Sequence, residues 1–290
     1  MTKLLLTIGI PASGKSVLAE QMKDFVCVER DFFRKKQYDQ GQSWSQEFEK
    51  NVAKEQEIEV LMHLKNNRNV IISDTNINPK TREKWKAIAK NLNVDYSEII
   101  IRCDLDLALE RNKTRTGWKF VPENKIKEFY IRFTEQFPLH YKPMKCLPKA
   151  FIFDVDGTLA KNNSGRSFYE WNNVIMDDVY WDIANLCNDL YLLDYQILIL
   201  SGRDSICKAD THTWLEKNTI SYDKLIMRPK GNKLPDHIIK HDLFHKHIAP
   251  YYTVLGVFDD RPKVCDMWRS IQLRIYQIGD PAVKTKPTNY

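Results

Sequence analysis

Two short segments of this chain have the residue types and spacing of phosphoryl-transfer sites. The segment from Gly9 to Ser16 contains two glycines and ends in Lys15 and Ser16, which is the pattern of a loop that wraps around nucleotide phosphates. The segment from Asp154 to Thr158 places two carboxylates two residues apart at the end of an apolar run. In such a pair one carboxylate attacks phosphorus and the other exchanges a proton with the leaving oxygen. We therefore expect one site that consumes a nucleoside triphosphate and one that releases phosphate.

The first segment is expected to bind ATP and Mg²⁺. Gly9 and Gly14 allow backbone N–H groups to approach the phosphates, and Lys15 is expected to reach the β- and γ-phosphates. The hydroxyl of Ser16 is expected to bind Mg²⁺. An apolar strand from Leu4 to Ile8 precedes the loop and a helical pattern follows it, which is the context that this motif requires.

A kinase also needs a base for the acceptor hydroxyl, and Asp31 is the candidate. It follows the second predicted strand, so it lies at the carboxyl edge of the sheet, beside the phosphate loop. Arg34 comes three residues later, so a helical turn would place it on the same side as Asp31. Arg111 and Arg115 are four residues apart on a predicted helix, which suits a lid over the triphosphate. Three polar residues end the next strand at the same edge: Asp74, Thr75 and Asn76.

The pattern of strands and helices predicts two α/β domains. The 290 residues, 43% apolar and 28% charged, can form two cores. Alternating strands and helices predict a three-layer fold around a parallel sheet in the first half, and a second α/β domain follows. The predicted strands are 4–8, 25–28, 69–73, 97–101, 196–200, 225–227, 254–258 and 274–278, with first-half helices at 16–23, 48–65, 79–92 and 105–113. Prolines near residues 138–148 predict a linker, giving domains at 1–140 and 150–290 joined by 141–149.

Charge and hydropathy bear on partners and location. The net charge is +6, and residues 149–290 carry 18 basic and 18 acidic side chains, so the excess lies in the first half. That excess favours binding of a polyanion, with a merely solvated basic surface as the alternative. No apolar run approaches the roughly 18 residues of a membrane span, so no membrane partner is expected. Six cysteines without metal-ligand spacing favour the cytoplasm, which is the host cytoplasm if the chain is phage-encoded. The sequence allows a homo-oligomer.

Nearly the whole chain resembles the polynucleotide kinase/phosphatase family of T-even-like bacteriophages, whose members heal nucleic-acid ends. The second half also resembles the haloacid-dehalogenase phosphatase superfamily, which has a Rossmann-like fold. The chain departs from the family pattern at 117–122, which is one residue longer, and at 162–180. The resemblance rests on these segments: 9–16, 30–34, 71–79, 111–115, 151–160, 201–203, 246–250 and 259–261.

The resemblance implies a role for each kinase residue and a fold for each half. It implies a P-loop 5′-hydroxyl kinase at 1–140, in which Asp31 activates the 5′-hydroxyl of a nucleic acid. Arg34 would contact the acceptor's 3′-phosphate, Arg115 the donor phosphates, and Asp74 would organise the acceptor site. RNA and DNA both stay open as the acceptor.

The resemblance also implies a 3′-phosphatase at 150–290. Asp154 would be the nucleophile that forms an aspartyl-phosphate, and Asp156 the general acid and base. Lys240 would stabilise the aspartyl-phosphate, with Lys233 and Lys246 as alternatives. A divalent cation would be held by acidic residues, because two carboxylates and a phosphate repel one another. The candidate metal ligands are Asp154, Asp156, Asp259 and Asp260, and the candidate phosphate contacts are Arg166, Ser201, Gly202, Arg203 and Arg228.

Two other functions remain alternatives at this point. Both folds also serve small molecules, so a metabolic kinase fused to a small-molecule phosphatase is the second hypothesis. A non-enzymatic nucleic-acid tether is the third, and it is disfavoured because both catalytic sets are complete. Salt separates the first two, since binding of a nucleic-acid polymer weakens steeply with added salt.

Overall fold

The computed structural model describes residues 2–162 and 171–279. Those residues form two compact units that divide between Phe137 and Pro138. Each unit is built on a parallel β-sheet, which confirms the predicted two-domain α/β architecture.

The first unit has a four-stranded parallel sheet with the strand order β2-β3-β1-β4. In its register Leu5 is opposite Ile71, so β1 and β3 run side by side through the middle of the sheet. The loops after β1, β2 and β3 therefore meet at one edge, where ligands bind in sheets of this kind. The elements are β1 (Lys3–Ile8), α1 (Lys15–Gln21), β2 (Phe25–Val28), α2 (Arg30–Asp39), α3 (Gln46–Lys65), β3 (Asn69–Ile72), α4 (Pro79–Asn91), β4 (Asp95–Ile100), α5 (Leu105–Lys113) and α6 (Glu123–Gln136), with a 3₁₀ turn at Gly117–Lys119.

Alternate residues of the central strands belong to different apolar clusters. Leu4 and Leu6 pack in a cluster with side chains of α3 and α4, including Trp85. Leu5 lies in a second cluster with Ala19 of α1. Because successive side chains of a strand point to opposite faces, helices cover both faces of this sheet. This is the three-layer arrangement that the sequence predicts.

The second unit has a five-stranded parallel sheet with the strand order β11-β10-β5-β8-β9. The central strand β5 runs directly into Asp154, and its neighbour β10 ends at Asp259. A short antiparallel pair, β6 and β7, follows the catalytic segment. The elements are β5 (Lys149–Phe153), β6 (Ala160–Lys161), β7 (Asp178–Val179), α7 (Trp181–Leu192), β8 (Gln196–Asp204), α8 (Lys208–Lys217), β9 (Lys224–Arg228), α9 (Asp236–His247), β10 (Thr253–Asp259), α10 (Pro262–Ser270) and β11 (Ile275–Gln277), with 3₁₀ turns at Trp171–Met176 and Ser205–Cys207.

The predicted linker, residues 141–149, packs on the second unit. Tyr141 is only 6% exposed, and its N–H donates to the carbonyl of Ile271 at 2.9 Å. Its hydroxyl donates to the carbonyl of Tyr252 at 2.9 Å. The segment is thus anchored to the second unit, while the predicted domain limits themselves stay predictions.

No helix among residues 2–162 and 171–279 combines the length and apolar character that crossing a bilayer requires.

Candidate active sites

The phosphate loop joins β1 to α1 in the first unit. Gly14 precedes α1 with a φ of 98°, a backbone conformation that residues with a side chain rarely adopt. Lys15 is 8% exposed, and its ammonium donates to the carbonyl of Ile10 at 2.6 Å. Burial, followed by the charge of Arg115, lowers the pKa of Lys15 to about 8. Negative phosphates would favour its charged form, so Lys15 is placed for an anionic ligand.

Asp31 lies in the first turn of α2, and its carboxylate is held by Arg34. Nη1 of Arg34 donates to Oδ1 of Asp31 at 2.8 Å. Nε and Nη2 of Arg34 donate to the two carboxylate oxygens of Glu49 at 2.8 and 3.0 Å. The helical turn brings Asp31 and Arg34 to one side, and Glu49 fixes the guanidinium. The predicted contact of Arg34 with a 3′-phosphate stays a prediction.

Asp74, at the end of β3, anchors the helix that carries Asp31. Its Oδ1 accepts from the backbone N–H of Arg30, the first residue of α2, at 2.9 Å. Its Oδ2 accepts from Nε2 of Gln56 at 2.7 Å and lies 3.5 Å from Nε of Arg30. Both oxygens are engaged within the protein, which supports a role for Asp74 in organising the acceptor site.

The next two residues join the strand ends to the phosphate loop. The carbonyl of Thr75 accepts from the N–H of Gly9 at 3.1 Å. Asn76 is 4% exposed, and its amide nitrogen donates to the carbonyls of Thr7 and Ile72 at 2.9 and 3.3 Å. The amide of Asn76 therefore ties β1 to β3, and its predicted contact with substrate stays a prediction.

One open cavity of about 560 Å³ collects most of the predicted kinase residues. Its walls bring together phosphate-binding, acidic and cationic side chains within the first unit, which is the combination that phosphoryl transfer to a hydroxyl requires. Phe120 and Lys119 line the cavity along with Arg115. The predicted residues that line the cavity are Lys15, Ser16, Asp31, Arg34, Asp74, Thr75 and Arg115.

Arg111 and Arg115 do not share a helical face. Helix α5 ends at Lys113, and the buried amide of Asn112 bonds to the backbone of Val121, donating at 2.7 Å and accepting at 3.2 Å. Arg115 therefore lies beyond the helix and lines the cavity, whereas Arg111 is exposed and is not among the lining residues. The prediction that Arg111 binds the nucleotide finds no support in this geometry.

Ser16 lies beside an acidic residue that the sequence analysis did not select. Its hydroxyl donates to Oε2 of Glu29 at 3.1 Å, and the hydroxyl of Ser73 lies 3.5 Å from it. Burial raises the pKa of Glu29 above its usual value. Hydroxyl and carboxylate oxygens are ligands that Mg²⁺ prefers, so this pair fits a divalent cation. The signal in the sequence is an acidic residue between the second strand and Asp31.

In the second unit Lys240 contacts three carboxylates. Two belong to residues at the ends of β5 and β10, and the third belongs to the first residue of α9. Its ammonium lies 2.9 Å from Asp154 Oδ2, 2.8 Å from Asp259 Oδ2 and 3.7 Å from Asp236 Oδ2. Burial alone lowers the pKa of Lys240, but the three carboxylates raise it well above its usual value. Lys240 is thus a permanent cation beside the predicted nucleophile Asp154.

Asp154, Asp259 and Asp260 form a group that fits a divalent cation. Their ligand oxygens lie within 4.8 Å of one another, and Oδ1 of Asp260 is buried without a hydrogen-bond partner among the described residues. Burial and the charge of Asp259 raise the pKa of Asp260 to about 6. Burial also raises the pKa of Asp154, although Lys240 opposes it. Gly157 has a φ of 82°, and a Cβ there would collide with the Asp260 carboxylate, so glycine permits this approach.

Asp156 is not part of that group, and its carboxylate is bound by the fully buried side chain of Arg203. Nε and Nη2 of Arg203 donate to the two oxygens of Asp156 at 2.9 and 2.7 Å. Nη2 also donates to Oδ2 of Asp177 at 2.6 Å, and both Arg203 and Asp177 have completely buried side chains. The Asp156 side chain is not one of the three clustered carboxylates, and its predicted role as a cation ligand stays a prediction. Arg203 holds Asp156 and also lines the cavity described below, so its predicted contact with the phosphate stays a prediction as well.

The remaining predicted phosphate contacts also have structural partners. Ser201 is completely buried, and its Oγ accepts from the N–H of Arg203 at 3.2 Å. Arg228 donates to the carbonyls of Gly202 and Leu234 at 2.7 and 2.6 Å and to Asp236 at 3.2 Å. Arg228 therefore shapes the loop before α9, and because it also lines the cavity described next, its predicted contact with the phosphate stays a prediction. Gly202 lies on the wall of the cavity described next, and Arg166 lies outside the described residues.

A cavity of about 740 Å³ opens over these groups. Asp154 and Asp156 line it together with Arg261, which the sequence analysis did not select. Burial would lower the pKa of Arg261, but the carboxylates, led by Asp236, raise it. Arg261 is therefore a cation beside the reacting groups, and its signal in the sequence is its place directly after the acidic pair 259–260.

Replacing Lys240 with Met is expected to destabilise the second unit. The change leaves carboxylates buried without their cation, which typically costs about 3–5 kcal/mol. Thermal and urea unfolding in a chelating buffer, compared with wild type, measure this loss. Lys246→Met is the matched control, since Lys246 is exposed on the same helix and should change stability little. Equal stability of Lys240→Met and wild type would show that the buried cation is dispensable.

Comparison with known proteins agrees with the two units. Residues 148–282 match the family "Polynucleotide kinase PNKP phosphatase domain" and residues 4–136 match the family "AAA domain". A protein of Autographa californica nuclear polyhedrosis virus, named "Putative bifunctional polynucleotide kinase/RNA ligase", is 32% identical over 288 residues, which are 93% of this chain and 41% of that protein. The chain thus spans about two fifths of that relative.

Two solved structures are also similar in sequence. A chain of "Structure of Pnkp1/Rnl/Hen1 complex" is 32% identical, with 96% of each chain covered and a TM-score of 0.46. A chain of "Structure of the Pnkp1/Rnl/Hen1 RNA repair complex" is 30% identical, with the same coverage and TM-score. With both halves matched by family, this chain joins an AAA-type P-loop domain to a phosphatase domain of the polynucleotide kinase family.

Proposed function

We propose that this chain heals nucleic-acid ends, phosphorylating 5′-hydroxyl ends with ATP and removing 3′-phosphates. The observation that carries the proposal is that the second half matches a polynucleotide kinase phosphatase domain and holds Asp154, Lys240 and a cation-binding carboxylate group in one buried cluster. The proposal includes Mg²⁺ as the cation, RNA or DNA ends as the substrate, and a cytoplasmic location.

In the kinase half, Asp31 takes the proton of the 5′-hydroxyl, and the hydroxyl oxygen attacks the γ-phosphorus of ATP. The bond between that phosphorus and the β–γ bridging oxygen breaks, and ADP leaves. Arg34 holds the Asp31 carboxylate toward the cavity, and Asp74 fixes the helix that carries both. Lys15 and Arg115 neutralise charge on the transferring phosphoryl group. Mg²⁺ at Ser16 and Glu29 would add charge neutralisation on the phosphates.

In the phosphatase half, Asp154 attacks phosphorus, the bond to the 3′-oxygen breaks, and Asp156 donates a proton to that oxygen. Asp156 then takes a proton from water, whose oxygen attacks the aspartyl-phosphate and releases phosphate. Arg203 holds Asp156 through both oxygens, so its carboxyl group stays aimed at the cavity. Lys240 stabilises the negative charge on Asp154 and its phosphoryl group. Mg²⁺ bound to Asp154, Asp259 and Asp260 would allow an anionic nucleophile to approach a phosphate.

The test is incubation with ATP, Mg²⁺ and two oligonucleotides, one with a 5′-hydroxyl and one with a 3′-phosphate. Both ends should change, and kinase kcat/KM on the oligonucleotide should fall steeply between about 50 and 200 mM salt, because polymer binding releases counterions. Turnover of small hydroxyl and phosphate compounds with neither oligonucleotide processed would support the metabolic alternative instead.

The kinase cavity continues into a groove that fits a longer acceptor strand. This groove of about 510 Å³ also contains Arg132, which does not line the cavity, and it shares with the cavity Arg30, Arg34, Asp74, Thr75 and Phe129. Arg132 is exposed on α6, and no hydrogen bond or ion pair links it to another described residue. A cation and an aromatic side chain along one groove suit a phosphodiester and a base of single-stranded nucleic acid.

Arg132→Ala is expected to weaken kinase action on an oligonucleotide but not on a nucleoside 3′-monophosphate. Loss of one phosphate contact should lower the salt slope by about one and raise the oligonucleotide KM several-fold. Steady-state kinetics on both acceptors measure this difference. The control is Lys90→Ala, which removes an exposed charge on α4 outside both cavities. An equal effect of Arg132→Ala on both acceptors would place Arg132 outside the strand path.

A further inference from the structure

Trp171 lies on the wall of the phosphatase cavity with its ring only partly buried. It is the first residue of the 3₁₀ turn Trp171–Met176. It packs against a small apolar cluster formed by Val174, Cys207 and Met227. It also lines the cavity of about 740 Å³ that contains Asp154 and Asp156. The indole is therefore supported by apolar contacts and borders the space in front of the reacting groups.

The cavity is larger than a phosphoryl group requires. Pockets of about 300–1,000 Å³ hold whole small-molecule ligands, so this one has room for a sugar and a base beside the phosphate. Its described lining holds four cationic side chains, including Arg261 and Lys233, beside four carboxylates, so an anionic group has several cations within the cavity to bind. Trp171 is the one aromatic side chain among the described residues of the wall, and the flat face of an indole does not bind phosphate.

We propose that Trp171 is a stacking platform for the base of the terminal nucleotide that carries the 3′-phosphate. The inference rests on the proposed 3′-phosphatase function and adds the recognised group: a nucleobase, held by its face. Stacking on an aromatic side chain tolerates all four bases, because every base has a π-face. The site would therefore prefer nucleotide ends over other phosphate monoesters without reading sequence.

The test removes the indole from the protein and the base from the substrate, singly and together, as in a double-mutant cycle. Trp171→Leu keeps an apolar side chain against Val174 and Cys207 but removes the aromatic face, and Trp171→Phe keeps a smaller one. Each variant is assayed on a 3′-phosphate oligonucleotide, on the same oligonucleotide with an abasic terminal residue, and on p-nitrophenyl phosphate. Kinase activity of the same samples reports that the first unit is folded, and activity on the abasic end reports this for the second unit. Trp181→Leu is the control, since Trp181 is exposed and does not line this cavity.

We expect Trp171→Leu to lower phosphatase kcat/KM on the base-bearing end by about 5- to 150-fold, the range of one lost base–aromatic stack. Trp171→Phe should lose less, and Trp181→Leu should match wild type. On the abasic end Trp171→Leu should equal wild type, because no base is present to stack. Activity on p-nitrophenyl phosphate, whose single ring offers a smaller π-face than a base on its sugar, should fall less than activity on the base-bearing end.

Two results would contradict the proposal that Trp171 stacks on the terminal base. An equal loss by Trp171→Leu on base-bearing and abasic ends would mean that Trp171 supports the fold of the site. No loss on either would remove it from substrate binding. Failure of the proposed function is a separate outcome, because wild-type protein would then hydrolyse p-nitrophenyl phosphate but leave the 3′-phosphate oligonucleotide intact.

Discussion

Asp154→Asn is expected to stop 3′-phosphate release while 5′-phosphorylation continues. The amide cannot form the aspartyl-phosphate, and loss of a covalent nucleophile costs on the order of 10⁴-fold or more in kcat. The effect should be confined to one activity, because Asp31, Lys15 and Arg115 lie in the first unit. Phosphate release from a 3′-phosphate oligonucleotide and label transfer from ATP to a 5′-hydroxyl oligonucleotide measure the two activities in one preparation.

The matched control is Asp182→Asn, which makes the same change at an exposed carboxylate on α7. It should retain both activities. Acid quenching adds an independent readout, since a 3′-³²P-labelled oligonucleotide should leave label on wild-type protein during turnover but not on Asp154→Asn. Phosphate release by folded Asp154→Asn at the wild-type rate would mean that this carboxylate does not attack the substrate, and the nucleophile assignment would be wrong.

The positions of the reacting groups could be predicted from the sequence because they are local to strand ends. Asp31 and Asp154 each follow an apolar run, and parallel strands deliver their carboxyl ends to one edge of a sheet. The phosphate loop is a contiguous motif with its own strand and helix signals. For such residues the adjacent positions in the sequence are enough to predict where in the fold they lie.

The partners of those groups could not be predicted in the same way. Asp156 and Arg203 are 47 residues apart, and Arg203 and Asp177 are 26 apart, so only the fold brings the three together. Arg203 was expected to contact the substrate phosphate, but its burial between the carboxylates of Asp156 and Asp177 could not be expected from the sequence. The predicted alignment of Arg111 with Arg115 is a different case, since α5 ends before Arg115 and Asn112 bonds to the backbone of Val121. The two arginines are not aligned on one helix, while nucleotide binding by Arg111 stays a prediction.

Asp31→Asn is expected to have the opposite effect, stopping 5′-phosphorylation while 3′-phosphate release continues. Loss of a general base typically lowers kcat by about 10²- to 10⁴-fold, because the 5′-hydroxyl then attacks phosphorus without proton transfer to a carboxylate. The amide introduced by this change keeps an oxygen that can accept from Arg34, now held at 2.8 Å from Asp31 Oδ1, so the local fold should survive. Single-turnover transfer of labelled phosphate to a 5′-hydroxyl oligonucleotide, with ATP in excess, measures the chemical step.

Three measurements make the assignment of Asp31 specific. The control Asp39→Asn changes an exposed carboxylate on the last turn of the same helix and should leave transfer unchanged. Phosphatase activity of Asp31→Asn should equal wild type, and its affinity for ATP should be kept, since Lys15 and Ser16 are intact. A folded Asp31→Asn protein that phosphorylates at the wild-type rate would exclude Asp31 as the base. Glu49, which holds the other side of Arg34 at 2.8 Å, would then be the next carboxylate of the cavity wall to test.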